Sequence, residues 1–272
     1  MIIYSKGKKL ELGKRTLIMG ILNVTTDSFS DGGDYTDIDT AVARAKEMVE
    51  QGADIIDIGG MSTRPGHEEI SVELEMKRVI PVIKRIAAEV DTIISIDTYR
   101  YEVAEEALKN GAHIINDVWG LQYDNGEMAA AAVKYDAAVI AMHNQNGTHY
   151  EKDIMLSMRE FFEKTFEIAE RNGLAKDKII IDPGIGFGKD MELNLEVLHR
   201  MKEVVDMGPI LLGASRKRFI GTILNGLPPK ERMEGTVAVT VAGIERGADI
   251  VRVHDVLENK RAALVADAVI RR

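Results

Sequence analysis

A chain of 272 residues with 45% hydrophobic content can bury one large core and has the usual length of an α/β barrel, so length alone does not divide it into two domains. Its formal charge of −9 speaks against nucleic acid as a partner, and an anionic ligand must be met by a local basic cluster against the overall field. The absence of cysteine excludes disulfides, thiolate metal sites and cysteine nucleophiles, and no run is apolar and long enough for a signal or a membrane span, so a cytoplasmic protein with no membrane partner is expected.

Residues 2–12 read as a small hairpin turning at Lys6-Gly7-Lys8 and covering one end of the main fold. Short β-branched runs then recur at 16–24, 53–59, 92–98, 113–118, 137–143, 178–184, 209–215 and 249–255. Most are continuously apolar, the pattern of parallel strands covered on both faces. Segments of helical period lie between them, among them 39–51, 72–89, 101–110, 153–172 and 193–205. Gly52, Gly111 and Gly247 each stand between such a segment and the next strand, where a left-handed residue closes a helix. Strand–helix alternation repeated eight times predicts a single-domain (β/α)8 TIM barrel over 1–272, with a short N-terminal β-hairpin at its floor. An open doubly wound sheet is the alternative.

In such barrels the chemistry gathers where strands end. The predicted ends carry Asn23, Asp57, Asp97, Asn116, His143, Asp182, Ser215 with Lys217, and Arg252 with His254, more polar groups than rim closure needs. Arg216-Lys217-Arg218 stand where a helix begins, the wrong end for cations unless an anion binds nearby. A solvated basic turn is the other reading. Arg252 and His254 are two apart on the last strand and point the same way, beside the loops that often hold phosphate in TIM barrels. Asp97 and Asp182 are either ligand-binding carboxylates or caps of the following helices, and Asn116 and Asp117 share that ambiguity. Asp182 leads into a glycine-dense loop, 183–189, and two long polar loops, 23–33 and 59–67, have glycines at their roots as lids do. The histidines lack metal-ligand spacing, and no nucleophile elbow, Walker lysine or dinucleotide fingerprint is present.

The segments MGILNVTTDSFSDGG (19–33), DIGGMSTRPG (57–66), ISIDTYR (94–100), IINDVWG (114–120), IDPGIGFGK (181–189), LLGASRKRFIG (211–221) and VRVHDV (251–256) together resemble the dihydropteroate synthase family along nearly the whole chain. The resemblance implies a dimeric TIM barrel of folate biosynthesis. It would condense 6-hydroxymethyl-7,8-dihydropterin pyrophosphate with para-aminobenzoate to give 7,8-dihydropteroate and pyrophosphate. By motif, Asp97, Asn116, Asp182 and Lys217 would line a deep pterin pocket, with Met142 and Phe187 sandwiching the ring. Asn23, Thr63, Arg252 and His254 would hold the pyrophosphate, with Mg2+ bridging the Asn23 carbonyl to the phosphates. Phe29, Ser62, Thr63, Arg64, Pro65 and Phe187 would form the lid and the para-aminobenzoate pocket, where sulfonamides compete. The implied mechanism is dissociative, with Asp97, Asp182, Lys217, Arg252 and His254 as the catalytic set. Thr26, Met61 and Asp190 depart from the residues usual in the family, as does the stretch 144–147, and none of them is an implied ligand. A methyltetrahydrofolate–corrinoid methyltransferase barrel is the runner-up, and a pterin-binding protein without turnover the third reading. The methyltransferase would need neither the basic clusters nor the Ser-Thr-Arg-Pro-Gly lid.

Overall fold

The computed structural model describes residues 1–24, 35–61 and 69–271. Among them, the apolar runs form eight parallel strands: β3 (Leu17–Asn23), β4 (Ile55–Gly59), β5 (Ile93–Asp97), β6 (Ile114–Asp117), β7 (Ala138–Met142), β8 (Ile179–Asp182), β9 (Ile210–Leu212) and β10 (Ala248–Val253). They are paired in sequence order, and β10 closes the ring by pairing with both β9 and β3, for example Ile250 with Leu17. That last pairing rules out the open sheet.

Helices α1 (Tyr35–Glu50), α2 (Val72–Glu89), α3 (Tyr101–Lys109), α4 (Glu127–Lys134), α5 (Ile154–Arg171), α6 (Met191–Arg200), α7 (Arg218–Ile223), α8 (Met233–Glu245) and α9 (Val256–Ile270) run outside the barrel. Gly52, Gly111 and Gly247 close α1, α3 and α8 with φ of 101°, 121° and 98°, as their spacing predicts. The segment expected to be helical over 193–205 divides instead into α6 and a 3₁₀ turn, Met201–Val204.

Side chains alternate along each strand, and this parity organises the molecule. Ile56, Ile58, Ile94 and Ile96 face outward and pack with the helices. Ile55, Ile114, Ile140, Ile180, Leu211 and Ile250 face inward and fill the lower barrel. The hairpin of β1 (Ile2–Ser5) and β2 (Lys8–Glu11) closes the floor by adding Ile3 and Leu10, with Leu12 just beyond it, to that inner cluster. Ser5 locks it in place, donating to the His113 carbonyl and accepting from Ala138 N–H. Two residues above the inner apolar layer the same face turns polar.

Candidate active site

Counting in twos from the buried inner layer leads to the upper interior. From Ile55 come Asp57 and Gly59, from Ile93 come Ser95 and Asp97, and from Ile114 comes Asn116. Ile140 leads to Met142, Ile180 to Asp182, and Ile250 to Arg252 and His254. The register confirms one level: Asn23 pairs with Gly59, Gly59 with Asp97, and Asp97 with Asn116. The strand-end residues singled out in the sequence therefore converge, with one exception. His143 has the opposite parity to Met142 and packs against Phe161, 5.0 Å between ring centres, on α5.

Arg252 is the hub. Its Nε donates to Asp57 Oδ2 and its Nη2 to Asp97 Oδ2, each at 2.6 Å. Asn116 Nδ2 donates to the same Asp57 oxygen at 3.1 Å. Burial pushes the Asp97 carboxyl up, and the Arg252 charge opposes it. Asp182 is likewise raised by burial, against the Gly184 N–H at 2.8 Å and the charges of Lys217, Arg252 and Lys189. Burial alone would lower Arg252, but Asp57, Asp97 and Asp182 hold it firmly protonated. Among the described residues, the buried oxygens Asp57 Oδ1, Ser95 Oγ and Asp97 Oδ1 have no hydrogen-bond partner. Such unmatched acceptors are uncommon in a folded interior and suit a ligand rich in N–H donors.

Beside the polar groups stands an apolar wall in which Met61, Tyr99, Val118 and Met142 are buried, with Ile70, Trp119 and Phe187 packed against them; Met142 is the register partner of Asp182. Lys217 Nζ lies 4.1 Å from the centre of the Phe187 ring, a cation–π contact. The glycine loop that carries Phe187 is tied from within. Lys189, 7% exposed, directs its ammonium at His143 Nδ1 (2.9 Å), Gly184 O (3.0 Å) and Phe187 O (3.0 Å). Burial draws this ammonium down to about 7. The root of the second long loop is pinned to α2, where Arg78 Nη1 donates to Gly60 O at 2.9 Å.

The three consecutive cations do not form one anion site. Arg216 pairs with Asp255, its Nε 3.0 Å from Oδ2, Lys217 lies over Phe187, and Arg218 is exposed at the start of α7. The chain turns sharply there, with Arg216 at φ 57°, so neighbours in sequence diverge in space. His254 shares a 2.9 Å contact between its Nδ1 and Ser215 Oγ. Phe29, Ser62, Thr63, Arg64 and Pro65, as well as Thr26, lie outside the described residues. An open groove of about 510 Å³ lies at the other end of the barrel, between Leu12, Pro209 and Asp249, and takes in none of these groups. Asp57 was singled out in the sequence as a polar strand end but drew no role there. Lys189 escaped the sequence reading, and no local signal announces it.

The family model for pterin binding enzymes matches residues 19–254. A dihydropteroate synthase of Clostridium beijerinckii is 52% identical over 267 residues, covering 97% of this chain and 98% of that protein. The chain belongs to the dihydropteroate synthase family. The dihydropteroate synthase of Clostridium difficile, solved in the presence of pteroic acid, superimposes with a TM-score of 0.94 at 58% identity, over 97% of this chain and 100% of that one. The Xanthomonas albilineans dihydropteroate synthase, solved with 4-aminobenzoic acid, gives 0.92 at 39% identity over 98% and 97% of the two chains. Membership makes this chain a transferase of folate biosynthesis and favours the synthase over the corrinoid methyltransferase reading. Two departures from the dihydropteroate synthase pattern have a structural account. Met61 is buried in the apolar wall, and Asp190 caps α6 by accepting from Leu193 N–H at 2.9 Å.

Proposed function

We propose that the inward-facing crown of the barrel joins 6-hydroxymethyl-7,8-dihydropterin pyrophosphate to para-aminobenzoate by dissociative substitution. The observation that carries the mechanism is the arrangement of buried Asp97 and Asp182 around Arg252, above an apolar floor. A 2-amino-4-oxopyrimidine edge presents adjacent N–H donors. Asp182 is the carboxylate to accept them, since one of its oxygens already anchors Gly184 and fixes its orientation. Lys217 donates to the ring oxygen or N5, Asn116 completes the polar edge, and Met142 and Phe187 cover the ring faces.

The C–O bond to pyrophosphate breaks and its electron pair leaves with the phosphate. Electron donation from the reduced pterin stabilises the exocyclic methylene cation, aided by the negative potential of Asp97 and Asp182. Arg252 and His254 stabilise the departing pyrophosphate. The arylamine then forms the C–N bond, held in line by the loops that carry Phe29, Ser62, Thr63, Arg64 and Pro65, and releases a proton. Mg2+ fits this site only as a companion of the substrate. Among the described residues no group of three histidines or carboxylates is placed to hold a metal, so Asn23 would supply one oxygen and the phosphates and water the rest. Its chemistry would be to offset pyrophosphate charge.

A homodimer belongs to the same proposal. Val265 and Val269, one turn apart on α9, are 67% and 66% exposed, an apolar pair on the outside of a barrel helix that a second copy would cover. A cytoplasmic setting is also proposed, supported by the cysteine-free composition. Separately, no helix of the described residues is long and apolar enough to cross a membrane.

Incubation with the dihydropterin pyrophosphate, Mg2+ and para-aminobenzoate should release pyrophosphate and dihydropteroate in equal amounts, with inhibition by a sulfonamide. Pterin binding without turnover would instead support a binding protein.

A further inference from the structure

Asp57 opens one of the family-like blocks, yet none of the implied roles falls on it. Its side chain is fully buried at the level of Ile21 and Ser95, its register partners on the neighbouring strands. One oxygen, Oδ2, receives both Arg252 Nε at 2.6 Å and Asn116 Nδ2 at 3.1 Å. The two contacts have different consequences.

An amide can approach a carboxylate only through its NH2 end, because a flipped amide would set oxygen against oxygen. The contact with Asp57 therefore decides which way Asn116 faces and leaves its carbonyl for a ligand. The guanidinium is held by one edge, Nε to Asp57 and Nη2 to Asp97, and Nη1 makes no hydrogen bond among the described residues. Its terminal donors are thus left for an anion. Charge balance alone does not require Asp57, because Asp97 already pairs with Arg252. A second buried carboxylate with an unmatched Oδ1 is costly to desolvate.

We propose that Asp57 is a positioning residue: through Oδ2 it holds Asn116 with its carbonyl toward the pterin and Arg252 with its terminal edge toward the pyrophosphate. This rests on the pocket being the pterin pyrophosphate site. A role in holding ligand groups in place, beyond packing, predicts that polarity can be exchanged within the pair. In the double variant Asp57→Asn with Asn116→Asp, the new amide donates to the new carboxylate and a carboxylate oxygen still faces the ligand, while Arg252 Nε, which shared the replaced oxygen, loses that acceptor.

The test is calorimetry with the dihydropterin pyrophosphate and steady-state kinetics on the full chain, for Asp57→Asn, Asn116→Asp and the exchanged pair. Each single variant should weaken the pterin pyrophosphate about tenfold or more, with the KM for para-aminobenzoate much less affected. The exchanged pair should bind at least about threefold better than the product of the two single losses allows, the remaining loss being the Arg252 contact that the exchange does not restore. Losses that simply multiply in the double variant would overturn the proposal. So would an Asp57→Asn protein with a lowered Tm and unchanged pterin affinity. Should Asp57→Asn fail to fold, Asn116→Asp and the exchanged pair still decide, because rescue requires the contact. If the unmodified chain itself neither binds the ester nor turns over, the reading of the pocket fails, and not this inference alone.

Discussion

Asp182 uses one oxygen to hold its own loop, through the 2.8 Å bond from Gly184 N–H, and presents the rest of a buried, upward-shifted carboxyl to the pocket. Replacing it with alanine would strand the pterin donors at about 1–3 kcal/mol each, so calorimetry should find pterin affinity reduced on the order of a hundredfold or abolished. Unchanged affinity would remove Asp182 from the pocket. Arg252→Ala should weaken the pyrophosphate ester more than free pterin. Free pterin should not be spared, because Asp57 and Asp97 would lose their shared cation and Asp97 would be pushed further toward its neutral form. Equal losses for both ligands would count against the phosphate role. Asp97 does not cap the following helix: its Oδ2 is bound to Arg252, while in the same stretch Thr98 Oγ1 accepts from Arg100 N–H. A capping carboxylate and a site carboxylate look alike in a sequence, because their difference lies in a partner far along the chain.

The glycine loop between β8 and α6 shows how an element is shaped by one buried group. Gly184 has φ 68°, and a Cβ there would sit 1.9 Å from the His143 carbonyl oxygen. Gly184→Ala should therefore cost on the order of 3 kcal/mol in denaturant melts and disturb Phe187 and Asp182 together. A variant with native stability and pterin affinity would show that the loop tolerates rearrangement. Lys189→Met would leave Gly184 O, Phe187 O and His143 Nδ1 without their shared donor, which predicts weaker pterin binding by the same route. Retained affinity with only a lowered Tm would confine Lys189 to stability. The density of glycine in 183–189 was legible as a close backbone approach. What approached, a lysine folding back into its own loop, was not, because the ammonium is stabilised by carbonyls whose directions exist only in the folded turn. The Arg216-Lys217-Arg218 run fared similarly. Its charge was visible, but the left-handed Arg216 sends the three groups to Asp255, to Phe187 and to solvent.

The barrel as a body has a dry floor and a polar top, and the floor has its own pH response. Burial, with Lys6 and Lys8 nearby, draws His113 down to about 4 from 6.5, while its Nδ1 accepts from Ile94 N–H at 3.1 Å. Below pH 6.5 the unfolded chain takes up a proton that the folded one refuses until about pH 4, so this group makes stability fall as pH drops through that window. Asp117, raised to about 6 chiefly by burial, acts in the opposite sense as pH falls from 6, so the difference between two proteins is the informative quantity. The Tm of His113→Gln should decline less steeply than that of the unmodified chain between pH 6.5 and 4.5. Parallel declines would free His113 of that role. For the proposed homodimer, Val265→Glu on the exposed α9 face should shift sedimentation from dimer toward monomer with an unchanged circular dichroism spectrum. A dimer that survives the charge would move the interface elsewhere.

Eight apolar runs, glycines at helix ends and a polar residue closing each run were all written locally, because strand parity and helix period repeat every two and 3.6 residues. Those local rules were enough to name the barrel and the strand ends on which its polar groups gather, while the family resemblance rested on seven motif blocks. Closure of the ring by β10 on β3 depends on residues more than two hundred positions apart, and the bond from Arg252 to Asp57 likewise joins opposite ends of the chain. Which carboxylate meets the arginine, which end of Asn116 is left for a ligand and which lysine is buried are decided by distance and dielectric in the assembled interior. No local pattern encodes those quantities, since each is a property of side chains brought together only by the fold.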